Sequence, residues 1–113
     1  MPHIVIEHSK GLDQSHDLQV LCDTLWQAFA DHRSVSAPDT VRVRTIAATA
    51  SRIGVEPQTF AAATLLLLPG RDEDTRTELA QMTLDALQTA LPDVGSLTVR
   101  LDDLNPPYLK RML

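Results

Sequence analysis

FAAATLLLL (Phe60–Leu68), followed at once by PGRDEDTR (Pro69–Arg76), is the stretch that decides the fold. An almost wholly apolar run, interrupted by Thr64 alone, fits a central strand buried on both faces. Its length fits a buried helix equally well, but Pro69-Gly70 ends it abruptly. Asp72, Glu73 and Asp74 then place negative charge where the dipole of a helix start favours it. Thr75–Leu91 continues as a helix, with Leu79, Met82, Leu84, Ala86 and Leu87 turned inward, and Pro92 stops it. Leu97, Val99 and Leu101 alternate along one face of a last strand, Leu97–Leu101. The second half of the chain therefore reads strand, helix, strand.

Working back towards the N-terminus, the same order recurs. PHIVIE (Pro2–Glu7) is short and β-branched, with Ile4 and Ile6 on one face and His3, Val5 and Glu7 on the other. Proline is tolerated at the first residue of a strand. Ser15–Asp31 carries Leu18, Leu21, Cys22, Leu25 and Phe29 at helical spacing, with Asp13 or Ser15 as its cap. Thr40–Ile46 alternates Val41 and Val43 with Arg42 and Arg44. The stretch from Ala47 to Gln58, containing Gly54 and Pro57, shows no deciding period.

One α/β (α+β) domain over residues 1–113 is expected. Its first β-α-β unit covers about residues 2–46, its second about 59–103, and residues 104–113 form a tail beginning at Asn105-Pro106-Pro107. The halves look like a structural duplication with little residue identity. Each crossover should be right-handed, and both amphipathic helices can cover one side of a four-stranded sheet. The other side would present His3, Val5 and Glu7, then Arg42, Arg44 and Ile46, then Thr98 and Arg100. That face is too apolar for idle solvent surface and too charged for a core. It suits a subunit interface with polar sites at its edges.

The 113 residues carry 15 acidic and 10 basic side chains, a net charge of -5, with no Lys/Arg run. Nucleic acid and anionic membrane surfaces are poor partners for such a chain. Cys22 is the single cysteine, which excludes an intrachain disulfide and a cysteine-based zinc site. The N-terminus enters a strand pattern directly, without signal-peptide character, and no apolar run is long enough for a bilayer. A cytoplasmic protein is expected.

Two constellations carry chemistry. The first is proline directly after the initiator methionine. Removal of Met1, usual before proline, would leave Pro2 as a secondary amine at the chain end. A free amine is a base, where an amide nitrogen is not, and a nearby cation or apolar pocket would bring it into range for proton transfer at neutral pH. Many proteins begin Met-Pro without using it. The second is arginine: Arg42 and Arg44 on one strand face, Arg71 ahead of the second helix, and Arg76 a turn further on. Guanidinium groups bind carboxylates bidentately and stabilise developing enolate oxygen. Arg44 also reads as a solvated strand residue, and Arg76 as the partner of Asp72 or Glu73 along the helix. Arg42 and Arg71 fit either role.

Other chemistry-bearing residues read as structural. His3, His8, His16 and His32 match no metal-ligand spacing, and no H-E-x-x-H is present. Gly70-Arg71 lacks the further glycines and lysine of a phosphate loop. Cys22 lies on the apolar helix stripe, and a capped turn accounts for Asp102-Asp103.

Together, MPHIVIE at the start, VRVR in the second strand, PGRDEDTR before the second helix and LDDLNPP near the end resemble the 5-carboxymethyl-2-hydroxymuconate isomerase family of the tautomerase superfamily. The resemblance runs to about Pro107; the short tail and the connector Ala47–Gln58 depart from the pattern. It implies two β-α-β units in one mixed sheet with both helices on one side, assembled as a homotrimer. It implies Pro2 as the group that shuttles a proton between a dienol and its conjugated ketone. Arg42 and Arg71 would hold substrate carboxylates or polarise the 2-oxo group, with no metal and no organic cofactor. The pathway implied is bacterial homoprotocatechuate breakdown.

The expected function is isomerisation of a small anionic carboxylate, with Pro2, Arg42 and Arg71 catalytic and Arg44 beside them in substrate binding. Two alternatives stay open: another tautomerase-fold reaction on a 2-oxo or unsaturated acid, and a non-enzymatic trimeric binding module.

Overall fold

The computed structural model describes residues 2–113. Met1, and with it the expectation of its removal, lies outside the described residues. Four strands, β1 (His3–His8), β2 (Arg42–Ala47), β3 (Phe60–Leu67) and β4 (Ser96–Asp103), form one mixed sheet in the order β2-β1-β3-β4. β1 pairs parallel with β2 and antiparallel with β3, and β3 pairs parallel with β4. The expected mixed sheet with its main helices on one side is what the chain forms.

The register sorts the side chains. Ile4 stands opposite Val43 and Leu65, and Ile6 opposite Thr45 and Ala63. Ile4, Ile6, Ala63 and Leu65, together with Ala61, Leu67, Leu21, Leu25, Phe29, Leu79 and Leu87, belong to the buried core under the helices, with Val43 packed partly buried against it. Buried polar atoms find partners: Thr83 donates Oγ1–H to the carbonyl of Leu79 at 2.9 Å, and His8 Nδ1 lies 2.9 Å from the carbonyl of Ser9.

The first helical segment is broken in two. A single turn, α1 (Leu12–Ser15), precedes α2 (Leu18–Ala30). The cap is neither Asp13 nor Ser15 but Asp17, whose carboxylate accepts the N–H of Val20 at 3.1 Å. His16 has extended backbone, which separates the two pieces. The second long helix, α3 (Glu73–Ala90), is capped by Asp72, which accepts from Thr75 N–H at 2.8 Å. Hydrogen bonding from the Thr75 side chain, and then from its backbone N–H, holds the Asp72 carboxyl below its ordinary range.

A double-sided burial was expected for Phe60–Leu68, and the structure gives half of it. Ala61, Ala63, Leu65 and Leu67 are buried, while Phe60, Ala62, Thr64 and Leu66 alternate with them on the sheet face that carries no helix and are only partly covered. The run is apolar but for Thr64 because its strand is central, yet this chain supplies a helix layer to one side alone.

The connector between β2 and β3 is tied to itself and to the loop before β4. Gln58 accepts the N–H of Ile53 at 2.9 Å and donates to the carbonyls of Ile53 and Val55 at 3.0 and 2.9 Å. Pro57 packs on Gly95 so closely that a Cβ built there would stand 2.6 Å from Pro57 Cγ.

Candidate active site

The pairing of β1 brings the start of one strand, the start of another and the end of a third to one end of the sheet. Pro2, with its ring buried, precedes β1; its carbonyl accepts the N–H of Arg42, the first residue of β2, at 3.0 Å. His3 pairs with Leu66 of antiparallel β3, so residues 68–71 leave the sheet beside Pro2. Gly70 has φ +122°, a conformation that a side chain disfavours, and it turns the chain into Arg71 and the cap of α3.

Arg42 and Arg71 reach this end from opposite faces. Arg42 stands opposite His3 on the helix-free face, and its Nη2 lies 3.1 Å from the sulfur of Met112 in the tail. Arg71 reaches the helix layer, where Nε donates to Ser34 Oγ at 3.2 Å and Nη2 to the Ser34 carbonyl at 3.0 Å. Partial burial lowers the Arg71 pKa from its ordinary value. Arg44 sits two residues further along β2, level with Val5, and is carried away from Pro2 along the helix-free face.

Several participants were not legible in the sequence. His3 Nε2 is 2.9 Å from Tyr108 Oη, with the rings nearly perpendicular at 86°. Partial burial, then Arg42 and Arg44, push the His3 pKa below its usual value. Ser34 and His32, in the loop after α2, carried no motif; only their fold-back onto Arg71 marks them. Arg76 pairs mainly with Asp103 of β4 at 2.8 Å, and more loosely with Glu73 at 3.4 Å. Asp102 pairs with Arg100 at 2.8 Å. Asp102 and Asp103 therefore serve two ion pairs, where a capped turn was expected.

An apolar groove between α2 and α3, lined by Val20, Leu21, Ala86 and Ala90 among others, lies at the opposite end of the helices from Pro2. No described helix is long and apolar enough to cross a membrane.

The family model for 5-carboxymethyl-2-hydroxymuconate isomerase matches residues 2–99, a span that holds Pro2, Arg42, Arg44 and Arg71. The chain belongs to this family. It is an isomerase of the tautomerase superfamily. No curated protein sequence matches it significantly. Among solved structures it is similar to a 5-carboxymethyl-2-hydroxymuconate delta-isomerase, with a TM-score of 0.84 at 23% identity, covering 99% of this chain and 88% of the other. A 5-carboxymethyl-2-hydroxymuconate isomerase from Deinococcus radiodurans R1 gives 0.83 at 17% identity, covering 97% and 88%. A fused 4-OT described as a symmetric trimer gives 0.72 at 18% identity, covering 90% and 85%. At these identities the structures establish a shared tautomerase-type fold, and the family assignment rests on the sequence model.

Proposed function

We propose that this isomerase converts a 2-hydroxymuconate-type di- or tricarboxylate, such as 5-carboxymethyl-2-hydroxymuconate, into its conjugated ketone. The nitrogen of Pro2, freed by loss of Met1, acts as base and then as acid. The observation that carries the reading is the placement of Pro2 beside Arg42, with Arg71 at the same end of the sheet.

The proton balance is simple. Neutral Pro2 takes the proton of the 2-hydroxyl; the oxygen's electrons form the 2-oxo group and the double bonds shift along the chain. The prolinium then returns the proton to carbon at the far end of the conjugated system. Nothing is oxidised or reduced. Guanidinium charge near the amine disfavours its ammonium form and keeps a base available at neutral pH. Arg42 stabilises the oxygen on which charge develops, and Arg71 pairs with a substrate carboxylate. Arg44 adds attraction for an anionic substrate on a protein of net charge -5.

The reading includes a homotrimer packed through the helix-free sheet face. Partly covered Phe60, Ala62, Thr64 and Leu66 in the central strand, with Ile46 48% exposed at the edge, support that choice. The test is ultraviolet-monitored ketonisation of a 2-hydroxymuconate dienol by protein mass-checked for loss of Met1. Turnover above the buffer rate is expected; its absence with Pro2 as the free terminus overturns the assignment.

A further inference from the structure

We propose that Ser34 is a positioning residue for Arg71, holding the guanidinium so that its outer edge meets a substrate carboxylate. This rests on the reading of Arg71 given above. Ser34 takes two donors from one edge of the group: Nε donates to its hydroxyl at 3.2 Å and Nη2 to its carbonyl at 3.0 Å. An arginine has five N–H donors in a rigid fork. With one edge clamped, the Nη1–Nη2 edge still presents the parallel pair that binds a carboxylate bidentately.

The clamp is itself oriented. Ser34 N–H donates to His32 Nδ1 at 3.1 Å, and Ser34 Oγ lies 2.8 Å from the same nitrogen. Nδ1 is thus an acceptor, and the ring proton belongs on Nε2, which faces Glu78 Oε2 at 3.1 Å. With Nδ1 taking the hydroxyl hydrogen, a lone pair of Ser34 Oγ is left for Arg71. Glu78, on α3, also accepts from Arg33 Nη1 at 2.7 Å, which neutralises it. Arg33, and to a lesser degree His32, hold its carboxyl below the ordinary range. The sequence Glu78–His32–Ser34–Arg71 fixes a long, flexible side chain before substrate arrives, so less ordering is left to the binding step.

Two measurements test this. In 15N-labelled protein without substrate, the Arg71 Nε–H should give a resolved, slowly exchanging resonance that Ser34→Ala abolishes. In ketonisation of the dienol, Ser34→Ala should raise KM about tenfold, the scale of one hydrogen bond to a charged group, with kcat within about twofold. Ser34→Thr, which keeps the hydroxyl, should stay within about twofold of the parent. Combined with Arg71→Ala, Ser34→Ala should add almost nothing, because its effect runs through that guanidinium. If Ser34→Ala fails to fold, His32→Ala removes the acceptor for the hydroxyl and should raise KM about threefold. An unchanged Arg71 resonance, an equal loss in Ser34→Thr, or an undiminished effect of Ser34→Ala without Arg71 overturns the proposal. If Arg71→Ala raises KM and Ser34→Ala does not, the positioning role alone fails. If Arg71→Ala itself leaves KM unchanged, the carboxylate reading of Arg71 falls with it.

Discussion

Arg42 donates its backbone N–H to the carbonyl of Pro2 at 3.0 Å, so one ladder bond fixes both residues. Replacing the Pro2 ring leaves that carbonyl in place. Pro2→Ala should therefore keep the sheet and, under the proposed loss of Met1, exchange a secondary for a primary amine. Turnover of the dienol should fall by about 10² or more, the usual contribution of a positioned base, with the far-ultraviolet circular dichroism unchanged. Retained turnover would remove Pro2 from the mechanism.

The two arginines reach the Pro2 end from opposite faces of the sheet, and their alanine variants should differ in kind. Arg71→Ala should raise KM by about tenfold or more with a modest change in kcat. Arg42→Ala should lower kcat by about 10² with a smaller change in KM. Equal, small effects on both parameters would contradict this division.

His16 Nε2 lies 2.7 Å from Asp93, which links the start of α2 to the loop before β4. The hydrogen bond to Asp93 raises the His16 pKa and lowers that of Asp93. A raised folded-state pKa means protonated His16 binds its partner better in the native protein. The stabilisation is then full below about 6.5, the ordinary histidine value, and is lost as pH rises through the raised one. Asp93 is 71% exposed, so solvent screens the pair and the effect is small. NMR titration should place His16 above the ordinary value and move it down in Asp93→Asn. Urea melts should show the parent's advantage over that variant at pH 6 to be larger than at pH 9.

Gly95 has no room for a side chain against Pro57, whose carbonyl oxygen would lie 2.9 Å from an added Cβ. Gly95→Ala should destabilise by about 1–3 kcal/mol, as overpacking does elsewhere, measured by urea denaturation. Kinetics of the folded fraction should be unaltered, because β4 reaches the Pro2 end only at Asp103. A neutral result would mean that the connector shifts freely.

Cys22 is half-buried on α2, and burial, with a lesser contribution from Asp23, raises its thiol pKa. Alkylation near neutral pH should be far slower in the folded chain than in urea, because the thiolate is the reacting form. Equal rates would place Cys22 on an open surface.

The sheet was legible because period-two alternation in Pro2–Glu7 and Thr40–Ile46, and the abrupt stop at Pro69-Gly70, are local signals. They predict which face carries Arg42 and Arg44, and the register agrees. The break at His16 was not legible, since the apolar stripe of α2 starts only at Leu18 and the polar turn before it has no period of its own. The partners Asp103 for Arg76 and Ser34 for Arg71 are 27 and 37 residues distant. Arginine reaches far enough that sequence neighbours do not predict its partner. At the candidate site, the sequence nominates the charged groups but is silent on the serine and histidine that brace them.

β1 is flanked on both sides, by β2 and by β3, although it opens the described chain. A chain end ordinarily frays. β1 precedes both of its neighbours in the chain, so Arg42 and then Leu66 must follow before either neighbouring strand can dock. The Pro2 end of the sheet thus has no defined surroundings until most of the chain exists, and under the proposed mechanism its competence arrives with the closing of these distant pairings. A fragment ending before β3 would carry the same terminal residues with one flank of β1 bare.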